Sequence, residues 1–267
     1  RRATRPKRQS GDKVAYMVDT FANYCDTQLA DATVRVLEHN GVSVFVPPDQ
    51  KQAGMAAVSC GNLDYARTLA RHNVAIFAEA VRQGYQVVAS EPAAALCFDR
   101  EYPNLIDDPD AQLVARNTSE VCTYLWRMHI QGKLRLDLKP INASLGYHMP
   151  CRLKALEVGS PGENLLGLIP GLSVIHMEEG CSGMAGTFGI GRGNYRTSLR
   201  AGRKLTRRLR RADIQAGITE CSACRMQMEQ GTNKPTIHPI KLLAAAYDLM
   251  PELESLLTAT TRELTLT

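Results

Sequence analysis

No apolar stretch in the 267 residues approaches the roughly 20 consecutive apolar positions that a membrane-spanning helix needs. No secretory-leader pattern is read in these residues either, and the two together lead to the expectation of a cytosolic or matrix-type setting, cytoplasmic first. Aromatic residues make up only 6% of the chain, with a single Trp, so there is little material for the stacking platforms of a single-strand nucleic-acid binder. Eight cysteines are far too few for a disulfide scaffold, which leaves their thiols as ligands or as small buried hydrophobes. The G-x-G-x-x-G fingerprint is also missing. Gly189-Ile190-Gly191-Arg192-Gly193 has neither the strand-turn-helix frame nor the acidic follower of a dinucleotide site, and it reads as a plain loop.

What is present is ordinary globular composition: 44% apolar and 22% charged residues, with 20 Gly and 13 Pro. The length suits one large domain or two small ones. The formal charge of +5 is concentrated in Arg1, Arg2, Arg5, Lys7 and Arg8, and the rest of the chain is balanced. A balanced surface argues against nucleic acid as a partner. Residues 1–13 read as a basic tail or linker cut from a longer polypeptide.

Three short β-rich runs, Val14–Val18, Val42–Val46 and Gln86–Ala89, alternate with helical stretches. Leu63, Ala66, Leu69 and Ala70 share one face of a helix expected from about Asn62 to Gln83, with Gly84 as its stop. The second half repeats the plan, with strands expected at Ala143–Tyr147, Leu172–Met177 and Ile214–Thr219. Residues repeat as well. Gly41-Val42-Ser43-Val44 answers Gly171-Leu172-Ser173-Val174, Ser59-Cys60-Gly61 answers Cys181-Ser182-Gly183, and Cys25 answers Cys151, at offsets of 130, 122 and 126 residues. The expected fold is therefore α/β: two pseudo-symmetric repeats, each a small mostly parallel sheet flanked by helices in a Rossmann-like manner. The first is expected at residues 14–120 and the second at 121–267.

In open parallel sheets, functional groups gather beyond the carboxyl ends of the strands. Cys151, Cys181, Cys221 and Cys224 each follow an expected second-half strand. Four thiolates delivered to one crevice from three loops, two of them as C-x-x-C, make a soft four-coordinate site for an iron-sulfur cluster or zinc. Cys97 and Cys122 sit in apolar helical stretches and read as core.

These residues are similar to the cysteine-rich domain with two C-C-G repeats. That domain occurs in the cysteine-rich subunit of heterodisulfide reductase, in the iron-sulfur subunits of glycolate oxidase and anaerobic glycerol-3-phosphate dehydrogenase, and at the C-terminus of FAD-linked D-lactate dehydrogenase-like proteins. The stretch GCSGMAGTFG from Gly180 to Gly189 resembles that family's G-C-C-G-M-A-G-[ST]-F-G, and YHMPCR from Tyr147 to Arg152 resembles its Y-H-x-P-C-H. Glu220–Gly231 (ECSACRMQMEQG), Glu91–Leu105 (EPAAALCFDREYPNL) and DTFANYCD from Asp19 are similar in the same way. The resemblance implies an electron-transfer module. Cys151, Cys181, Cys221 and Cys224 would hold one 4Fe-4S cluster, and FAD in a partner domain or subunit would oxidise a lactate- or glycolate-type 2-hydroxy acid. Electrons would then pass towards quinone or another acceptor.

Departures from the family pattern carry their own implications. Ser182 stands at the fifth thiolate position, which speaks against the non-cubane cluster and direct disulfide-reducing chemistry, while four ligands suffice for a cubane. In the first half Cys25 and Cys60 remain, Ser59 replaces one half of the C-C pair, and Glu91 and Ala94 stand where C-x-x-C would fall. Two thiolates cannot hold a cubane. The first repeat is therefore expected to be a degenerate, structural one, with Cys25 and Cys60 near each other across the loops.

His148 and Ser182 are candidates for hydrogen bonds to the cluster rather than for ligation. His176 and His238 read as structural. Arg196, Arg200, Arg203, Arg207 and Arg211 form a helical stripe within the acid-free stretch Arg192–Arg211, a candidate contact for an acidic partner or for the anionic inner-membrane surface. Two other readings compete with the electron carrier. One is a non-redox interaction module with structural zinc or no metal at the same cysteines. The other is a thiol enzyme that uses Cys221 and Cys224 as a redox pair.

Overall fold

The computed structural model describes residues 11–257; residues 1–10 of the expected basic tail lie outside them. The described residues divide into two compact units, 11–135 with 155–158 and 136–154 with 159–257. The first holds β1 (Lys13–Met17), β2 (Ser43–Phe45), β3 (Gln86–Ala89) and β4 (Thr118–Glu120), hydrogen-bonded in the order β2-β1-β3-β4 with every pair parallel. The second holds β5 (Ala143–Tyr147), β6 (Leu172–His176), β7 (Ala216–Ile218) and β8 (Thr236–Ile237) in the order β6-β5-β7-β8, again all parallel. The expected α/β architecture of two Rossmann-like repeats is thus observed, with each sheet extended by one short edge strand that the sequence pattern did not reveal.

The strands are buried runs because helices cover the sheets. Val14, Ala15, Tyr16 and Met17 of β1 and Val87 and Val88 of β3 have no exposed surface. The helix Leu63–Arg82 ends where local chemistry dictates. The Asn62 side chain accepts a hydrogen bond from the Tyr65 amide at 3.3 Å, and Gly84, just past the helix, takes φ of +82°, which a glycine adopts without cost. Its Ala66, Leu69, Ala70, Val74 and Phe77 face the core, where Phe77 meets Phe98 edge-on at 5.1 Å.

Hydrogen bonds repeat across the two halves as well. Tyr16, aligned with Val88 of the neighbouring strand, shares a 2.8 Å hydroxyl bond with Ser90, two residues beyond Val88. Tyr147, aligned with Ile218, donates to Glu220 Oε1 at 2.8 Å, two residues beyond Ile218. The equivalence carries one residue further, to Glu91 at the start of the helix Pro92–Leu96 and Cys221 at the start of the helix Ser222–Thr232. Ala94 then matches Cys224, in agreement with the sequence reading of the eroded C-x-x-C.

The first unit extends to Arg135, beyond the boundary expected near Glu120, because the helix Val121–Ile130 packs on β3 and β4 of the first sheet. Glu120 caps that helix, its carboxylate accepting from the amides of Cys122 and Thr123 at 2.9 and 3.0 Å. It is buried, and desolvation pushes its carboxyl from 4.5 up to about 7 despite those bonds. The folded chain therefore holds a proton that the unfolded chain releases above pH 4.5, so the contribution to stability is full below 4.5 and lost as pH rises towards 7. Denaturant titrations across that window should show a fall on the order of 3 kcal/mol for the native chain relative to Glu120→Gln, whose profile should be flatter. Parallel profiles would refute this assignment. Among the described residues no helix is long and apolar enough to cross a membrane.

Candidate metal centre

All four second-half cysteines of the sequence reading stand at the carboxyl edge of one sheet. Central β5 ends at Tyr147, and His148-Met149-Pro150 leads directly to Cys151, the first residue of the helix Cys151–Ala155. Beyond β6, the amide of Met177 still bonds to the Tyr147 carbonyl at 2.9 Å, and the loop that follows presents Cys181. Beyond β7, Cys221 occupies the N-cap of the helix Ser222–Thr232, and Cys224 lies in its first turn. A strand-to-helix transition after the third strand of the repeat brings both thiols of C-x-x-C to that edge.

Backbone donors are aimed at two of the sulfurs. The Gly183 amide donates to Cys181 Sγ at 3.2 Å, and the Cys224 amide to Cys221 Sγ at 3.5 Å, as an N-cap oxygen would receive it. Such N–H···S bonds favour the thiolate. The thiols meanwhile disfavour charge on one another. Partial burial, then Cys181 and Cys221, push the Cys151 thiol up. A hydrogen bond with Cys224, then burial, raises Cys221 well above the usual thiol range. A redox pair of the thioredoxin kind needs the opposite, a depressed thiol, so the arrangement speaks against the thiol enzyme. It suits ligands that lose their protons to a metal.

Among the described residues no three His, Cys, Asp or Glu side chains converge as ligands of a single ion. Tetrahedral zinc, with Zn–S bonds of about 2.3 Å, would need its four sulfurs within about 3.8 Å of one another. A cubane takes one thiolate on each of four irons, so its cysteines stand wider apart. The donor set, four soft thiols at one edge, fits the chemistry of a thiolate-bound iron-sulfur group.

Among the buried side-chain atoms near the thiols that find no hydrogen-bond partner among the described residues are His148 Nε2 and Ser182 Oγ. Desolvation, and then Lys154, pulls the His148 imidazole down to about 4, so it is neutral at pH 7 and carries one N–H. Orphaned buried polar groups at a site call for a ligand or water to satisfy them. The sequence reading missed Glu220, which directly precedes C-x-x-C. It is fully buried, bonded to Tyr147, and faces Gly162, where a Cβ would stand 2.1 Å from its Oε1. A glutamate between a strand and a C-x-x-C pair was the available signal.

The loop carrying Cys181 rests on the helix Tyr195–Leu209, which ends before Arg211, so that residue falls outside the expected arginine stripe and pairs with Asp213 at 3.1 Å. Gly183, at φ +96°, would place a Cβ 2.1 Å from the Ser198 carbonyl oxygen, and Gly202 would place one 2.0 Å from that of Ser182. Leu205 and Leu209 of the same helix pack in one apolar cluster with Cys224 and Met228. That helix therefore backs both the Cys181 loop and the C-x-x-C helix.

The remaining candidates lie outside this edge or are engaged elsewhere. Cys97 is buried and its thiol donates to the Ala53 carbonyl at 3.0 Å, and Cys122 is buried within its helix. Cys25 closes the helical turn Phe21–Cys25 and Cys60 follows the helix Met55–Ser59, both exposed. His176 pairs with Glu163 at 2.7 Å. His238 caps the helix Pro239–Ala246, its Nδ1 accepting from the Ile240 amide at 3.1 Å. Phe188–Ile190 is a single 3-10 turn within the glycine-rich loop.

Residues 145–229 match the family described as "CCG: Cysteine-rich domain", a span that contains all four thiols of the site. The chain is 33% identical over 240 residues to a subunit of the anaerobic glycerol-3-phosphate dehydrogenase of Escherichia coli (strain K12), covering 89% of this chain and 60% of that protein. It is 25% identical over 240 residues to a subunit of the fumarate reductase (CoM/CoB) of Methanothermobacter marburgensis, covering 87% of this chain and 45% of that one. With the lactate utilization protein A of Exiguobacterium sp. it shares 26% over 191 residues, 66% of this chain and 73% of that protein. The chain thus spans less than two thirds of the length of the first two relatives.

Proposed function

We propose that this chain, in which residues 145–229 form a cysteine-rich domain of the CCG family, is the iron-sulfur electron-transfer part of a dehydrogenase or reductase complex. Cys151, Cys181, Cys221 and Cys224 hold one 4Fe-4S cluster, and the first repeat, with Glu91 and Ala94 in place of a second C-x-x-C, holds none. Bound there, the cluster supplies one-electron storage and release. The observation that carries the reading is the edge itself: four thiols from three consecutive strand ends, two of them already accepting backbone N–H bonds. Buried His148 and Ser182 donate hydrogen bonds towards the cluster sulfurs, where a donor tunes potential without ligating. The electron donor is FAD in a partner domain or subunit, acting on a lactate- or glycolate-type 2-hydroxy acid, and the acceptor is quinone or its equivalent at the cytoplasmic face of the inner membrane. The names of the relatives, two of them subunits of dehydrogenase or reductase complexes and one a lactate utilization protein, support the class of reaction.

Protein purified without oxygen should carry about four irons and four acid-labile sulfides per chain, with an EPR signal that appears on dithionite reduction. Zinc at one equivalent, with no reducible centre, would overturn the reading in favour of a structural scaffold. The donor is tested by co-purification. A flavoprotein held by this chain should reduce the cluster on addition of D-lactate or glycolate, and reduction by glycerol 3-phosphate alone would reassign the substrate.

A further inference from the structure

We infer that the first unit binds a planar conjugated ring bearing carbonyl or carboxylate oxygens, in a cavity beyond the carboxyl ends of β1 and β2. The cavity encloses about 590 Å³, within the range of small-molecule sites. Val18 and Thr20 reach it from β1, the segment 46–52 from β2, and Tyr65 and Leu69 from the helix Leu63–Arg82. The second unit gathers its thiols at this same edge, where ligands of parallel sheets collect. Tyr16 and Tyr147 hold equivalent places in the two sheets. Four residues beyond Tyr147 stands Cys151, and four beyond Tyr16 stands Thr20. A residue lining the cavity therefore takes the place of the first thiol, which residue matching alone assigns to Cys25.

Side-chain amides fix the wall of this cavity. The segment 46–52 forms neither helix nor strand. Gln50 nevertheless accepts from the Val18 amide at 2.8 Å and donates to the Pro47 and Tyr16 carbonyls at 3.0 and 3.3 Å. Asn73, fully buried, accepts from the Lys51 amide at 3.0 Å and donates to the Lys51 and Gln52 carbonyls at 3.1 and 3.2 Å. A site fixed before its ligand arrives loses less freedom on binding. The lining sets the chemistry of that ligand. Tyr24 is 79% exposed and Tyr65 47%, so two aromatic rings stand largely in water at one cavity, beside the apolar surface of Val46 and Leu69. Such a combination suits the flat face of a conjugated ring. No acid is among the lining residues, which leaves an amine without a counter-charge. Lys51 is exposed and makes no ion pair among the described residues. Its ammonium, with the amides of Asn23 and Gln52, offers donors to oxygens on the ring. Gln52 already donates to the Tyr65 hydroxyl at 3.4 Å, which sets one of those donors at the edge of an aromatic wall. A single cation is thin provision for a phosphate chain, so nucleotides fit the lining less well.

Ring binding at the first unit needs no iron, so iron content serves as the control, and an iron-free chain that binds the ring would leave this site standing while the cluster reading fell. The test is equilibrium dialysis of the full chain against two probes. One is duroquinone, whose fully methylated ring the exposed thiols of Cys25 and Cys60 cannot add to, and the other is naphthoate. At least one of them should bind with a Kd of about 100 µM or tighter, and naphthylmethylammonium about 10-fold more weakly or not at all. Duroquinone alone would identify the ligand as a quinone, naphthoate alone as an aromatic acid, and either result supports the site. The variant Tyr24→Ala, Tyr65→Ala should weaken binding about 10-fold or more while keeping its iron content and unfolding midpoint, since both side chains are exposed. Lys51→Met should weaken naphthoate about 10-fold and duroquinone less. Binding of neither probe would overturn the proposal. So would binding unchanged in the double tyrosine variant, or the ammonium probe held as tightly as naphthoate.

Discussion

Cys224→Ala should abolish cluster binding outright, iron falling from about four per chain to less than one, and Cys151→Ala, Cys181→Ala and Cys221→Ala should each do the same. The effect is large because the site has no spare ligand. The position that would supply a fifth thiolate is Ser182, and no third cysteine accompanies Cys221 and Cys224 on their helix. The double variant Cys25→Ala, Cys60→Ala should keep its full iron content, since Glu91 and Ala94 stand where a second C-x-x-C would fall, two thiolates cannot hold a cubane, and Cys97 is committed to the Ala53 carbonyl. Because metal binding at such a site adds directly to folding free energy, loss of the cluster should also show as a lower unfolding midpoint in the four second-half variants alone. Cys224 is buried against Met228 and Leu205, so part of that loss would follow from packing alone. Exposed Cys181 is free of that ambiguity and provides the cleaner comparison. Iron retained in the Cys181 variant and lost in the Cys25, Cys60 double variant would move the cluster to the first repeat.

The parts of this architecture that were legible from the amino acids are those where one physical signal dominates. β5 was read to its observed ends because Ala143–Tyr147 is a continuous buried strand between turn residues, and the helix Leu63–Arg82 because Asn62 and Gly84 punctuate an unbroken apolar face. β4 and β8 escaped because three and two residues carry no period at all; they exist as strands only because β3 and β7 offer a free edge. The extent of the first unit to Arg135 is hidden in the same way, since the helix Val121–Ile130 is tied to the first sheet only through β3 and β4. At the site, the chain positions of the four cysteines relative to their strands sufficed to bring them to one edge. What could not be read was their support. The Tyr147–Glu220 bond joins residues 73 apart, and Gly162 is recognisable as obligatory only when Glu220 is seen against it. The role of the basic helix was half legible. Its charged face follows from spacing, whereas its close seat beneath the Cys181 loop depends on Gly183 and Gly202 meeting backbone to backbone.

That seat leads to a prediction opposite in sign to helix propensity. Alanine is favoured over glycine in a helix interior by about 1 kcal/mol, so Gly202→Ala taken alone should stabilise the helix Tyr195–Leu209. A methyl at residue 202, however, would lie 2.0 Å from the Ser182 carbonyl oxygen and 2.8 Å from its carbon. Neither neighbour is the end of a flexible side chain. Both belong to the backbone of the loop that carries Cys181, and on the other side of the contact Gly183 already meets the Ser198 carbonyl. Relief requires the loop to lift off the helix. That movement takes Cys181 away from the edge and disturbs the Gly183 amide that donates to its sulfur. Overpacking of this kind costs about 1–3 kcal/mol, which outweighs the gain in propensity. The expected result is a net destabilisation of about 2 kcal/mol in the iron-free protein, together with a loss of at least half the iron after anaerobic purification. Ala201→Gly supplies the control. Residue 201 is exposed on the same turn, so that change should cost about 1 kcal/mol by propensity and leave the iron content untouched. If propensity governed the helix, Gly202→Ala would be the more stable of the two and fully loaded. The opposite order, iron lost in Gly202→Ala and kept in Ala201→Gly, would mean that the close approach of two backbones, rather than the helix's own preference, holds the second ligand in place.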